Sequence, residues 1–67
     1  MTPQEIRDVF INSFPYDDFM SQWLCDNLFV CTSDIETELH FMNDEEIEEL
    51  YIDFLVDEDR FKGKIDS

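Results

Sequence analysis

The 67-residue chain has few residues of several types, and each shortage excludes a class of function. Its single glycine excludes the glycine-rich loops that bind nucleotide phosphates. Two cysteines and one histidine are too few for a structural zinc site. Only four residues are basic, whereas eighteen are acidic, so the formal net charge is −14. This charge excludes electrostatic binding to nucleic acid or to anionic membranes, and it favours a basic protein partner or a cation.

Targeting signals are also missing from the sequence. No apolar run approaches the roughly 20 residues of a transmembrane helix. The first five residues lack the positive charge of a signal peptide, and no apolar stretch follows them. We therefore expect a cytoplasmic protein, in the host cytoplasm if it is viral, with Cys25 and Cys31 reduced.

The residues that are abundant indicate a folded domain. Hydrophobic residues make up 43% of the chain and aromatic residues 15%, which is enough for a core and argues against disorder. The sequence predicts one small acidic domain over residues 1–67, with a loose tail at 62–67. The predicted fold is all-α, with three to four short helices in a small bundle. The expected core includes Phe10, Trp23, Leu24, Leu39, Leu50 and Phe54.

The first predicted helix begins with a capping box, in which Thr2 pairs with Glu5 and Pro3 occupies the first turn. Pro15 ends it, because the residue before proline is driven out of the α-helical conformation. Its apolar stripe consists of Ile6, Val9, Phe10 and Phe14.

The second predicted helix is capped by Asp17 or Asp18 and runs to about Phe29. Its buried side is formed by Phe19, Met20, Trp23, Leu24 and Leu28.

The segment that follows has two interpretations. Ser33 and Glu36 fit a capping box, which favours a short helix from Asp34 to about Met42. Alternatively, residues 35–41 alternate at period two and could pair with 28–31 as a small hairpin, which would make the fold α+β.

The last predicted helix runs from Asn43 to about Asp59. Asn43 can cap its start, with Glu46 as the capping-box partner, and Gly63 ends any remaining helix. Its buried stripe is predicted to be Ile47, Leu50, Tyr51, Phe54 and Leu55.

The opposite face of this helix is almost entirely acidic, and no Lys or Arg occurs between Asn43 and Asp59. Like charges four residues apart each cost about 0.2–0.5 kcal/mol on a helix, so the pattern needs an explanation. Carboxylates at this spacing lie about 6 Å apart along the axis. The resulting charge density is of the same order as that of a DNA backbone. The carboxylates that we predict to bind a partner are Glu36, Glu38, Asp44, Glu45, Glu48, Glu49, Asp53 and Asp57.

No residue pattern indicates an enzyme, a metal site or a cofactor. His40 has no Ser or Cys nucleophile in a recognisable pattern near it. The acidic run that starts at Asp57 fails as a calcium loop, because Phe61 and Lys62 occupy the fifth and sixth positions.

In size and charge the chain resembles the small acidic DNA mimics of phages and mobile elements, which block restriction enzymes, CRISPR effectors, glycosylases or nucleases. This resemblance implies a non-enzymatic inhibitor. Phe29, Phe41 and Phe61 are candidates for aromatic contacts, because they lie off the stripes assigned to the core. One alternative is an immunity or antitoxin protein that neutralises a basic toxin nuclease. Another is an acidic adaptor whose apolar residues, Ile52 and Val56 with Phe29, dock another protein or form a homodimer.

Overall fold

A computed structural model describes the backbone of residues 1–66 and the side chains of residues 1–63. Every regular element in this part of the chain is helical. The all-α prediction is therefore confirmed, and the alternative hairpin over 28–31 and 35–41 is wrong. The α-helices are α1 (Pro3–Ser13), α2 (Asp18–Leu28), α3 (Ile35–Phe41) and α4 (Asp44–Asp66). Short 3₁₀ turns over Phe14–Tyr16 and Thr32–Asp34 lead into α2 and α3.

The capping box at the start of α1 forms as predicted. The amide of Glu5 donates to Oγ1 of Thr2 at 3.2 Å, and the amide of Thr2 donates to Oε1 of Glu5 at 3.2 Å. Accepting the backbone hydrogen bond from Thr2 lowers the pKa of Glu5 below its ordinary value of 4.5. The charged form of Glu5 is therefore favoured in the folded protein.

Two further caps also follow the sequence. Oδ1 of Asp17 accepts from the amide of Met20 at 3.1 Å, and Oδ1 of Asn43 accepts from the amide of Glu46 at 2.9 Å. The capping box predicted at Ser33 does not form, because a 3₁₀ turn precedes α3 and the N-cap side chain of α3 makes no cap hydrogen bond.

Helix α4 continues through Gly63 and beyond the predicted end near Asp59. A glycine inside a helix costs only about 1 kcal/mol, so favourable contacts nearby can offset it. One such contact is the stack of Phe61 on Phe19 of α2, with ring centroids 4.6 Å apart. The tail predicted at 62–67 extends past the described side chains and stays a prediction.

The core is organised around Phe54 of α4. Its ring packs edge-on against Phe10 of α1 and Trp23 of α2, with centroid distances of 5.7 Å and 5.1 Å. Edge-to-face aromatic pairs of this kind add about 0.5–1.5 kcal/mol to the stabilisation from burial. The buried apolar residues are Ile6, Phe10, Met20, Trp23, Leu24, Ile35, Leu39, Ile47, Leu50 and Phe54.

The predicted burial of Leu55 is wrong, since this side chain is 44% exposed. A residue eight positions after Ile47 lies about 80° away from it around an α-helix. That rotation carries Leu55 off the buried stripe, which continues through Phe54 instead.

Candidate partner-binding surface

The eight carboxylates predicted to bind a partner do not form one uniform row. Five are exposed without a described ion pair, two are half-buried, and one is exposed but bound to a buried arginine. The five exposed carboxylates are Glu36, Glu45, Glu48, Glu49 and Asp53. The half-buried ones are Glu38 and Asp57, and the one bound to arginine is Asp44.

Four carboxylates converge on an open groove of about 370 Å³ between the end of α2, helix α3 and helix α4. Glu38 comes from α3, while Glu46, Glu49 and Asp53 come from α4. No Lys or Arg lines it. We call this feature the acidic groove, and it is lined by Asn27, Leu28, Glu38, Met42, Glu46, Glu49, Leu50 and Asp53.

The spacing of the α4 carboxylates explains why they share the groove. Glu46, Glu49 and Asp53 are three and four residues apart, so they lie on one side of the helix with neighbouring Cβ atoms about 5–6 Å apart. The buried residues Ile47 and Leu50 hold this stretch of α4 against the core. The groove therefore presents negative charge from fixed helical positions, and its potential is not cancelled by a lining cation.

Asp57, the last member of the predicted row, has a structural role. Its Oδ2 accepts a hydrogen bond of 2.7 Å from Nε1 of Trp23, which is only 7% exposed. An indole N–H that is nearly buried needs such a partner. Asp57 therefore joins α2 to α4.

Asp44 is held by Arg7, a buried residue of α1. Two guanidinium nitrogens of Arg7 lie 3.3 Å from Oδ1 of Asp44. Arg7 also donates from Nε to the carbonyl oxygen of Leu39 at 3.0 Å and from a terminal nitrogen to the carbonyl oxygen of Met42. Arg7 thus satisfies carbonyls at the end of α3, where a positive group is favoured, and pairs with Asp44 in the first turn of α4, where a negative group is favoured.

Two large aromatic side chains project from the chain beside the groove residues. Phe29, which follows Leu28, is 91% exposed, and Phe41, which precedes Met42, is 81% exposed. Phe29 has a φ of 57°, a left-handed conformation that is unfavourable for a bulky residue. Phe61 is 45% exposed but is stacked on a ring of α2.

Other kinds of site are not formed by the residues that the structure describes. Within them, no three His, Cys, Asp or Glu side chains come together in a way that could hold a metal ion. No described helix has the length and apolar composition to cross a bilayer. The thiols of Cys25 and Cys31 are free.

Sequence reasoning missed two parts of this surface. The sequence pattern indicates a capping role for Glu46. Its spacing of four residues from Leu50 and seven from Asp53 also places it on the same side of α4 as these groove residues. Arg7 was not singled out, because its partners come from α3 and the start of α4, far away in the sequence.

Comparison with known proteins gave no relatives. No protein-family model, curated protein or solved structure matches the chain.

Proposed function

We propose that the protein is a non-enzymatic inhibitor that presents a DNA-like acidic surface to a nucleic-acid-binding protein. The observation that carries this proposal is the convergence of Glu38, Glu46, Glu49 and Asp53 on one groove that no basic residue lines. The exposed carboxylates of Glu45 and Glu48 extend the negative surface along α4.

The spacing of these charges supports the comparison with DNA. Glu46 to Asp53 spans about 10 Å of helix axis at 1.5 Å per residue. Three carboxylates of α4 lie in that length, and Glu38 adds a fourth from α3. DNA carries one negative charge per roughly 1.7 Å when both strands are counted, or per 3.4 Å on one strand. The groove therefore approaches the charge density of a single phosphate strand.

The energetic cost of the arrangement also supports an external role. Glu45 and Glu49 are four residues apart, as are Glu49 and Asp53, and each such like-charge pair destabilises the helix. In the described structure none of these three residues forms a salt bridge. A Lys or Arg on the partner, already arranged to bind phosphate, would remove this repulsion on binding.

The exposed rings of Phe29 and Phe41 offer apolar contact next to the carboxylates. Aromatic residues are common at the centres of protein interfaces. Their conformation and exposure suit a partner that binds the rim of the acidic groove as well as its carboxylates. We expect this partner to be a basic enzyme that acts on DNA, such as a restriction enzyme, a CRISPR effector, a nuclease or a glycosylase.

Inhibition assays with purified DNA-acting enzymes test the proposal. The panel consists of a restriction endonuclease, a Cas9-type effector, a DNA glycosylase and a toxin nuclease, each supplied with its own DNA substrate. Inhibition of at least one enzyme is expected. Inhibition of the toxin nuclease alone would indicate an immunity protein, whereas no inhibition across the panel would count against the proposal.

A matched pair of variants shows whether the groove is responsible. The groove variant removes four charges by E38Q, E46Q, E49Q and D53N. The control variant removes four exposed charges elsewhere by D8N, D18N, D26N and D34N. Both have the same net charge, so loss of inhibition in the groove variant alone is expected. Equal loss in both would show that total charge, rather than the groove, is what matters.

A further inference from the structure

The side of α4 that faces away from the core carries an apolar patch. Ile52, Leu55 and Val56 are 59%, 44% and 47% exposed. Their spacing of three and four residues places them together on one side of the helix, with Ile52 and Val56 opposite the buried stripe and Leu55 nearer its edge. No described element of the chain covers them.

This patch lies within a longer pattern. Glu45, Glu48, Ile52, Leu55 and Asp59 are separated by alternating steps of three and four residues, which is the spacing of a coiled-coil seam. We call these five residues the outer seam. Its middle is apolar and both of its ends are acidic, and all five side chains are exposed.

We propose that the outer seam binds an amphipathic helix of another protein, with apolar residues at its centre and Lys or Arg at both ends. The apolar middle of the seam would bury the apolar side chains of that helix, as the helices of a coiled coil do. The acidic ends would pair with its basic ends. This contact is separate from the acidic groove and does not require the protein to imitate DNA.

The charges of the seam together with the net charge of the chain disfavour a second copy of this chain as the occupant. A parallel pair would place Glu45 and Glu48 opposite their own copies. An antiparallel pair centred on Ile52 and Leu55 would place Glu48 opposite Asp59 of the other copy, and Glu45 opposite Lys62, which already pairs with Glu58 of its own helix. Either arrangement opposes like charges, and each copy carries a net charge of −14. A helix with basic ends would instead be attracted to the acidic ends of the seam.

The nearby cations do not alter this assignment. Lys62 lies 3.5 Å from Glu58, four residues earlier on α4. Arg60 directly follows Asp59, so it points about 100° away from it around the helix. Lys62 would be the next position of the seam after Asp59, but it pairs with Glu58, so the free charges that flank the apolar middle are those of Glu45, Glu48 and Asp59.

Two synthetic peptides can test the proposal. The probe is a helical peptide of about 20 residues, long enough to span the seam, with Leu at alternating steps of three and four in its middle and Lys at both ends. The control peptide has the same composition in an order that scatters the Leu residues around the helix. Calorimetry measures the binding of each peptide to the full chain at about 50 mM NaCl and at about 500 mM NaCl. Charge attraction is strongly screened at the higher concentration.

The expected result is that only the ordered peptide still binds at high salt, at least about tenfold more tightly than the scrambled one. The I52Q/L55Q variant should bind both peptides equally, while T37Q/S21Q, which changes two polar positions outside the seam, should behave like the original chain. Circular dichroism verifies that both variants fold. Equal binding of the two peptides to the original chain, or salt-resistant dimers in sedimentation that the I52Q/L55Q change abolishes, would overturn the proposal. Failure of the inhibition assays would leave this result unaffected.

Discussion

Trp23 and Asp57 join α2 to α4 through a hydrogen bond of 2.7 Å from the indole Nε1 to the carboxylate Oδ2. Asp57, the last carboxylate of the predicted acidic row, therefore has a structural role. Six other acids of α4 belong to the groove or to the outer seam, namely Glu45, Glu46, Glu48, Glu49, Asp53 and Asp59. The hydrogen bond that joins the helices and the two proposed partner surfaces therefore involve different acids of the same helix.

The Asp57→Ala change should destabilise the protein by about 1–3 kcal/mol, because the indole N–H of Trp23 loses its charged acceptor in a nearly buried position. Asp53→Ala on the same helix is the matched control. It removes a like-charge neighbour and should leave the free energy of unfolding equal or slightly higher. Urea unfolding followed by Trp23 fluorescence measures both. Equal stability of the two variants would show that the hydrogen bond contributes nothing.

Arg7 should stabilise the protein more through its hydrogen bonds to carbonyl oxygens than through its ion pair with Asp44. Arg7→Met keeps an apolar stem but leaves the carbonyl oxygens of Leu39 and Met42 without their donor, which should cost at least about 1–3 kcal/mol. Asp44→Asn removes the ion pair alone, at an exposed carboxylate, and should cost about 0–1 kcal/mol. Thermal and urea unfolding measure both changes. A larger loss for Asp44→Asn than for Arg7→Met would contradict this order.

Replacing Phe29 by Gly should stabilise the protein by about 1 kcal/mol, since glycine accepts the left-handed conformation at the end of α2 without steric cost. Phe29→Ala keeps the Cβ atom and should give no such gain. If the ring also contacts the partner, both variants should inhibit the target enzyme more weakly. A stabilised Phe29→Gly protein with unchanged inhibition would remove Phe29 from the proposed contact surface.

The capping box of α1 gives a pH-dependent contribution to stability. The pKa of Glu5 is lowered in the folded protein, so its contribution is present above the ordinary value of 4.5 and is lost as the pH falls through the lowered value. Thr2→Ala removes the hydroxyl of the box but keeps the backbone N–H that lowers the pKa of Glu5 most, so this pKa should rise only part of the way toward 4.5. NMR titration of the Glu5 carboxyl carbon measures this shift. An unchanged pKa in Thr2→Ala would mean that the side chain of Thr2 does not contribute to the lowered pKa.

Local signals in the sequence predicted the helices well. The caps at Thr2, Asp17 and Asn43 form as the sequence indicates, because each depends on residues within three positions. The apolar stripes identified most of the core for the same reason. The position of Leu55 was missed, since a stripe extended over eight residues accumulates a rotation of about 80°.

The surface was harder to predict, because its roles depend on contacts between elements. Nothing near Asp57 in the sequence shows that Trp23 will approach it, and Arg7 reaches residues of two other helices. The sequence predicted an acidic helix face. Which of these carboxylates make structural bonds, line the groove or lie on the outer seam depends on how the helices pack against one another.

The most direct test of the central claim is a competition measurement with an enzyme that the protein inhibits. Its apparent affinity for the enzyme is measured at rising concentrations of duplex DNA that the enzyme binds but cannot cleave. If the acidic groove occupies the DNA-binding surface, the apparent Kd should rise in proportion to DNA concentration, and the groove variant should lose binding while the control variant keeps it. Unchanged affinity for the DNA-saturated enzyme would contradict the account.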